Sequence, residues 1–111
     1  MSNNNIISLT IRLPHELSEQ LKQASKQLGT TRTGLIRSAI HDFLTKDEIV
    51  LDFSPMYSDK SDRLTLNVNQ VTRNILENAC LKYNQSANAV VIALSVLILE
   101  RSAKWLQLAG N

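Results

Sequence analysis

Residues 8–44 read SLTIRLPHELSEQLKQASKQLGTTRTGLIRSAIHDFL, and the change of hydrophobic period along them decides the fold. Ser8, Thr10 and Arg12 alternate with Leu9, Ile11 and Leu13, and a period of two predicts a strand with one polar and one apolar face. Pro14 stops the strand and opens a helix, because its fixed φ suits a first turn whose N–H groups have no intrahelical acceptor. Leu17, Leu21, Ala24 and Leu28 then form a helical stripe, with Glu19, Gln20, Lys22, Gln23 and Lys26 on the wet side. Gly29 ends this helix, and Thr31 is the N-cap of the next, whose stripe is Leu35, Ile36, Ala39, Ile40, Phe43 and Leu44.

One short strand and two small helices bury little apolar surface and leave a strand edge unpaired, so the unit needs a second copy. From Asp62 the same pattern returns, displaced by 55 positions (Leu64 minus Leu9). Leu64, Thr65 and Leu66 fall on Leu9, Thr10 and Ile11; Leu76 and Ala79 fall on Leu21 and Ala24; Asn84 falls on Gly29 and Ser86 on Thr31. Asn follows Gly in tolerance of a left-handed helix end, so the turn survives. Asn69 replaces Pro14 and serves as a helix cap, while Thr72 replaces Leu17. The last helix departs from its counterpart: Arg37, Ser38, His41 and Asp42 become Ile92, Ala93, Val96 and Leu97. A helix apolar on all sides is buried on all sides, and these four residues are in excess of what the internal core needs. They predict self-association through a second chain, with the connector and the tail around Trp105 and Leu108 as the other possible covers.

The expected division is therefore a flexible arm (1–7), a first unit (8–44), a connector (45–61) and a second unit (62–108) that shares the first unit's core. The connector, TKDEIVLDFSPMYSDKS, has no sustained period, yet Ile49, Val50, Leu51, Phe53, Met56 and Tyr57 make it too apolar for a free linker. The fold class is mainly α with a short two-stranded antiparallel β-ribbon, the first strand pairing with the second strand of the same chain.

Composition narrows the function classes. The 111 residues are 43% hydrophobic, within the range of a globular chain, and the net charge of +2 says less than where the cations lie. One cysteine, Cys80, excludes an internal disulfide framework, and His15 and His41 are too far apart to suggest a metal cluster. The first residues lack the basic and apolar regions of a secretory leader. The longest apolar run, Ala89 to Leu99, is shorter than the roughly 20 residues of a bilayer span. A cytoplasmic protein without a membrane segment is expected. No glycine-rich phosphate loop or His–carboxylate pair points to catalysis, so neither an enzyme nor a cofactor is expected.

The alternating strand Leu9–Leu13 with Pro14, the Gly29 turn, and Thr31-Arg32-Thr33 followed by Leu35-Ile36-Arg37 resemble the ribbon-helix-helix DNA-binding family. The direct match covers about a third of the chain, and the repeat makes the whole similar to two such units in tandem, folded as a pseudo-dimer. The resemblance implies that the ribbon's polar face reads bases in the major groove, through Ser8, Thr10 and Arg12 on one strand and Arg63, Thr65 and Asn67 on the other. Their chemistry suits base reading, since Arg grips guanine O6 and N7, Asn pairs with adenine, and Thr meets a base edge or the thymine methyl. The competing reading is the solvated face of an amphipathic strand. The start of each second helix, with free N–H groups and a positive dipole end, suits a DNA phosphate. The candidates there are Thr31, Arg32 and Thr33 in the first copy, and Ser86 and Asn88 in the second; helix capping alone is the other role for Thr31 and Ser86.

Together these imply a sequence-specific double-stranded DNA-binding protein, associated with nucleoid or plasmid DNA and assembling as a homo-oligomer of pseudo-dimers. A bacterial or plasmid transcriptional repressor is the first use. Tandem fusion also resembles relaxosome accessory proteins, which mark a plasmid transfer origin for a relaxase. An antitoxin bound to its toxin, or a protein interaction module built on the apolar last helix, completes the set.

Overall fold

A computed structural model describes residues 5–109. The order is β1 (Ile7–Pro14), α1 (His15–Leu28), α2 (Arg32–Phe43), β2 (Ser61–Val68), α3 (Gln70–Tyr83) and α4 (Ala87–Ala109). The strands form a two-stranded antiparallel sheet within the chain, in a register that sets Ser8 against Asn67, Thr10 against Thr65 and Arg12 against Arg63. Most of the described chain is helical, and none of its helices is long and apolar enough to cross a membrane.

Strand alternation appears as burial. Ile11, Leu13, Leu64, Leu66 and Val68 are buried, while Ser8, Thr10, Arg12, Arg63, Thr65 and Asn67 are exposed. β1 starts at Ile7, inside the segment expected to be an arm; the remainder of that segment, apart from Asn5 and Ile6, lies outside the described residues. Pro14 is still in the strand, opposite Ser61, and acts as the cap residue of α1 with φ −50° and ψ 136°, so the helix opens at His15 and not at the proline. Because Pro14 has no N–H, the next donor continues the pairing: His15 N–H bonds to the Lys60 carbonyl at 3.0 Å.

The two helix pairs repeat each other's caps. Gly29 (φ 72°) and Asn84 (φ 53°) both adopt the left-handed conformation, and the next residues close the same bond, Thr30 N–H to the Ser25 carbonyl and Gln85 N–H to the Cys80 carbonyl. Thr31 accepts from Gly34 N–H at 3.0 Å, Ser86 from Ala89 N–H at 3.1 Å, and Asn69 from Thr72 N–H at 2.9 Å. Thr72, buried where the first copy has a leucine, satisfies its hydroxyl on His41 Nε2 at 2.8 Å, which gives this surface histidine a structural partner.

One hydrophobic cluster draws on both strands and on helices of both halves, including Leu21, Ile36, Ile40, Leu76, Val90, Val91 and Leu94. α4 packs against α1, α2, α3 and β1. That packing alters the expectation of a free self-association face: Ala93 is buried in the chain's own core, and Ile92, Val96 and Leu97 are half-buried. The connector supplies part of the cover. Leu51 is buried, Phe53 meets the Tyr83 ring edge-on at 5.4 Å, and Tyr83 Oη donates to the Ile49 carbonyl at 3.1 Å. Asp52, Phe53, Pro55 and Tyr57 thereby wall a cleft of about 160 Å³ over Ala89, Ile92 and Ala93. Farther along α4, Arg101 bonds Asp42 at 2.8 Å and stacks over Phe43 at 4.2 Å, tying the helix to α2.

Adjacent residues of β2 should respond differently to truncation. Leu66, with no exposed surface, should lose about 2–5 kcal/mol of stability as Leu66→Ala, whereas the exposed Thr65→Ala should stay within about 1 kcal/mol. Urea unfolding of both variants measures the contrast, and equal losses would contradict the alternation.

Candidate nucleic-acid interface

The outer face of the ribbon carries six side chains in three cross-strand pairs: Ser8 with Asn67, Thr10 with Thr65, and Arg12 with Arg63. Antiparallel pairing with period-two alternation puts all six on one side, and their inward neighbours lock that side outward by filling the core. The pairs differ in chemistry. Ser8 Oγ donates to Asn67 Oδ1 at 2.7 Å, whereas Arg12 and Arg63 stand opposite each other as like charges.

Side chains from the helices anchor the ribbon's edges. Asn88, in the first turn of α4, accepts from Arg12 N–H at 2.7 Å and donates to the Arg12 carbonyl at 3.0 Å. On the other strand, Arg37 of α2 donates to the Asn67 carbonyl at 3.2 Å. Each strand is thus held by a helix from the other half of the chain, and backbone groups that would stay unpaired at a ribbon edge gain partners. Asn88, expected at a phosphate, has its carboxamide engaged with the strand; what it brings beside the ribbon is the N-terminus of α4. Sequence reasoning misses Arg37 as an interface residue, since its distance from Asn67 along the chain hides the contact.

The first-copy phosphate candidates also have protein partners. Thr31 Oγ1 caps α2 and lies 3.3 Å from Thr33 Oγ1, and Arg32 donates to Ser18 Oγ at 2.6 Å, which turns its half-buried guanidinium toward α1. The remaining N–H groups of Arg32 are the ones available for an anion. Ser86 is exposed and caps α4.

Below the Arg12–Arg63 end lies a cluster that sequence spacing conceals. His15 Nδ1 faces both carboxylate oxygens of Asp62 at 3.1 Å, and Glu19 joins them, so that one ligand atom from each residue lies within 4.8 Å of the others. Counting histidines gives no metal-binding set, because Asp62 arrives from β2, 47 positions away. The cluster is organised around one hydrogen bond: His15 holds the Asp62 carboxyl below its usual range, against some opposing desolvation, with the Ser18 hydroxyl and the electrostatic influence of His15 and Arg32 adding to it. Elsewhere, burial with the nearby Glu77 charge pushes the Cys80 thiol up, away from the reactive thiolate.

A carboxyl whose pKa is lowered by folding stabilises the fold above its unfolded value, near 3.8, and that contribution disappears as pH falls through the lowered value. Asp62→Asn should therefore weaken the fold near neutral pH and flatten the acid limb of stability below about pH 4. Urea midpoints across that range measure it; parallel pH profiles for both proteins would remove Asp62 from the acid response. Comparison of the chain with family models, curated proteins and solved structures gives no match.

Proposed function

We propose that the chain binds double-stranded DNA sequence-specifically, as two ribbon-helix-helix units in tandem that fold into a pseudo-dimer and lay their shared ribbon in the major groove. One observation carries the reading: the six candidate base-reading side chains stand together on one exposed face of a two-stranded antiparallel ribbon. A major groove about 12 Å wide admits two strands about 4.8 Å apart with their side chains. The register supports the pseudo-dimer, since Thr10 pairs with Thr65, the residue 55 positions on (65 minus 10), as it must when a unit meets its own copy about a two-fold axis. The helix N-termini after Thr31 and Ser86 supply phosphate contacts that set the depth of the ribbon. The favoured use is that of a bacterial or plasmid transcriptional repressor.

Fluorescence anisotropy with random and selected duplexes, titrated with salt, tests this. Affinity should fall linearly on a log–log plot against salt; absent or salt-indifferent binding would contradict the reading. Arg12→Ala should cost about 1–3 kcal/mol on the selected site and relax preference at one base pair. Its circular dichroism should match wild type, because Arg12 is exposed.

A further inference from the structure

We infer that the ribbon reads DNA in one direction, taking guanines at its Arg12–Arg63 end and an uncharged, adenine-compatible contact at its Ser8–Asn67 end, so that the segment under one chain is not a palindrome. This rests on the DNA-binding reading and adds to it the orientation and base class of the target.

Antiparallel pairing gathers both arginines at one end of the ribbon and both small polar residues at the other. The ends are four strand residues apart, about 13 Å, or about four base-pair steps at 3.4 Å each. Directly opposed residues have their side chains about 5 Å apart, and like charges so placed repel. Among the described residues neither guanidinium is in an ion pair. Both therefore present outward N–H donors to whatever ligand meets this end of the ribbon. Guanine supplies two acceptors side by side in the major groove, whereas adenine sets a donor beside its single acceptor.

At the far end the hydroxyl of Ser8 holds the Asn67 carboxamide through Oδ1 at 2.7 Å. The amide keeps its two N–H donors and one Oδ1 lone pair, which match adenine N7 and N6 without a charge. The internal repeat places Asn67 on Arg12 and Arg63 on Ser8 (each 55 positions apart), so a symmetric ribbon would carry the same pair at both ends. This one carries different chemistry at each.

Selecting random duplexes with the full-length chain, followed by anisotropy on the recovered site, tests the inference. The wild-type motif should carry guanines at one end only, and replacing them with adenine should weaken binding about tenfold or more. The exposed double substitution Ser8→Arg with Asn67→Arg should create a second guanine end and an inverted-repeat segment. A wild-type motif that is already palindromic beneath one chain would overturn the inference. So would Arg12→Ala and Arg63→Ala variants that lose affinity equally on every sequence, since the pair would then grip phosphate. Failure of the wild type to enrich any motif would instead bring down the sequence-specific reading, and the direction with it.

Discussion

The structure depends on one pairing, that of β1 with β2. A single strand has no protein partner for the backbone groups on either of its edges, and an isolated two-stranded ribbon is marginal in water unless something packs against its apolar face. Both needs are met by the same residues. The leucines, isoleucine and valine that alternate along the strands form the roof of the core, and helices of both halves form its floor. Neither half is complete alone, because α2 packs against β2 and α4 against β1. The crossed anchors, Arg37 on Asn67 and Asn88 on Arg12, express the same exchange in hydrogen bonds.

The two halves share an architecture but differ in chemistry. The C-termini of α1 and α3 are closed by the same backbone bond, and α2 and α4 begin on the same type of cap, features that a polar residue of the right shape can preserve. The surfaces of the two halves differ. The His15–Asp62–Ser18–Arg32 network occupies one end of the ribbon, whereas the positions related to those residues by the repeat hold Gln70, Ile7, Arg73 and Ala87. The last helix is apolar where α2 is polar, and it packs inside the chain against three helices, a strand and the connector.

Features set by local physics are legible in the sequence. Alternation marks the outward face of both strands, and Gly29 and Asn84 mark the left-handed helix ends. Thr31, Ser86 and Asn69 mark the caps, all through interactions spanning a few residues. What escapes is set by distance. Asp62 beside His15, Arg37 on Asn67 and the two hydrogen bonds exchanged between Asn88 and Arg12 each join positions 30 or more apart, and no spacing rule announces them. Pro14 sits one position earlier in the architecture than its sequence context suggests, because a proline at a strand end and one at a helix start have nearly the same φ. The course of the connector over part of the last helix is not legible either, because the connector has no period.

The covalent connector between Leu44 and Ser61 has a consequence for behaviour at low concentration. Strands contributed by separate molecules form a ribbon only above a dissociation constant, and dilution unfolds both partners together. Tethering within one chain replaces that second-order encounter with a first-order one, at an effective concentration in the millimolar range for a short flexible link. The ribbon's integrity is then the same in a dilute solution as in a concentrated one, and a few copies in a large volume keep the outward face assembled.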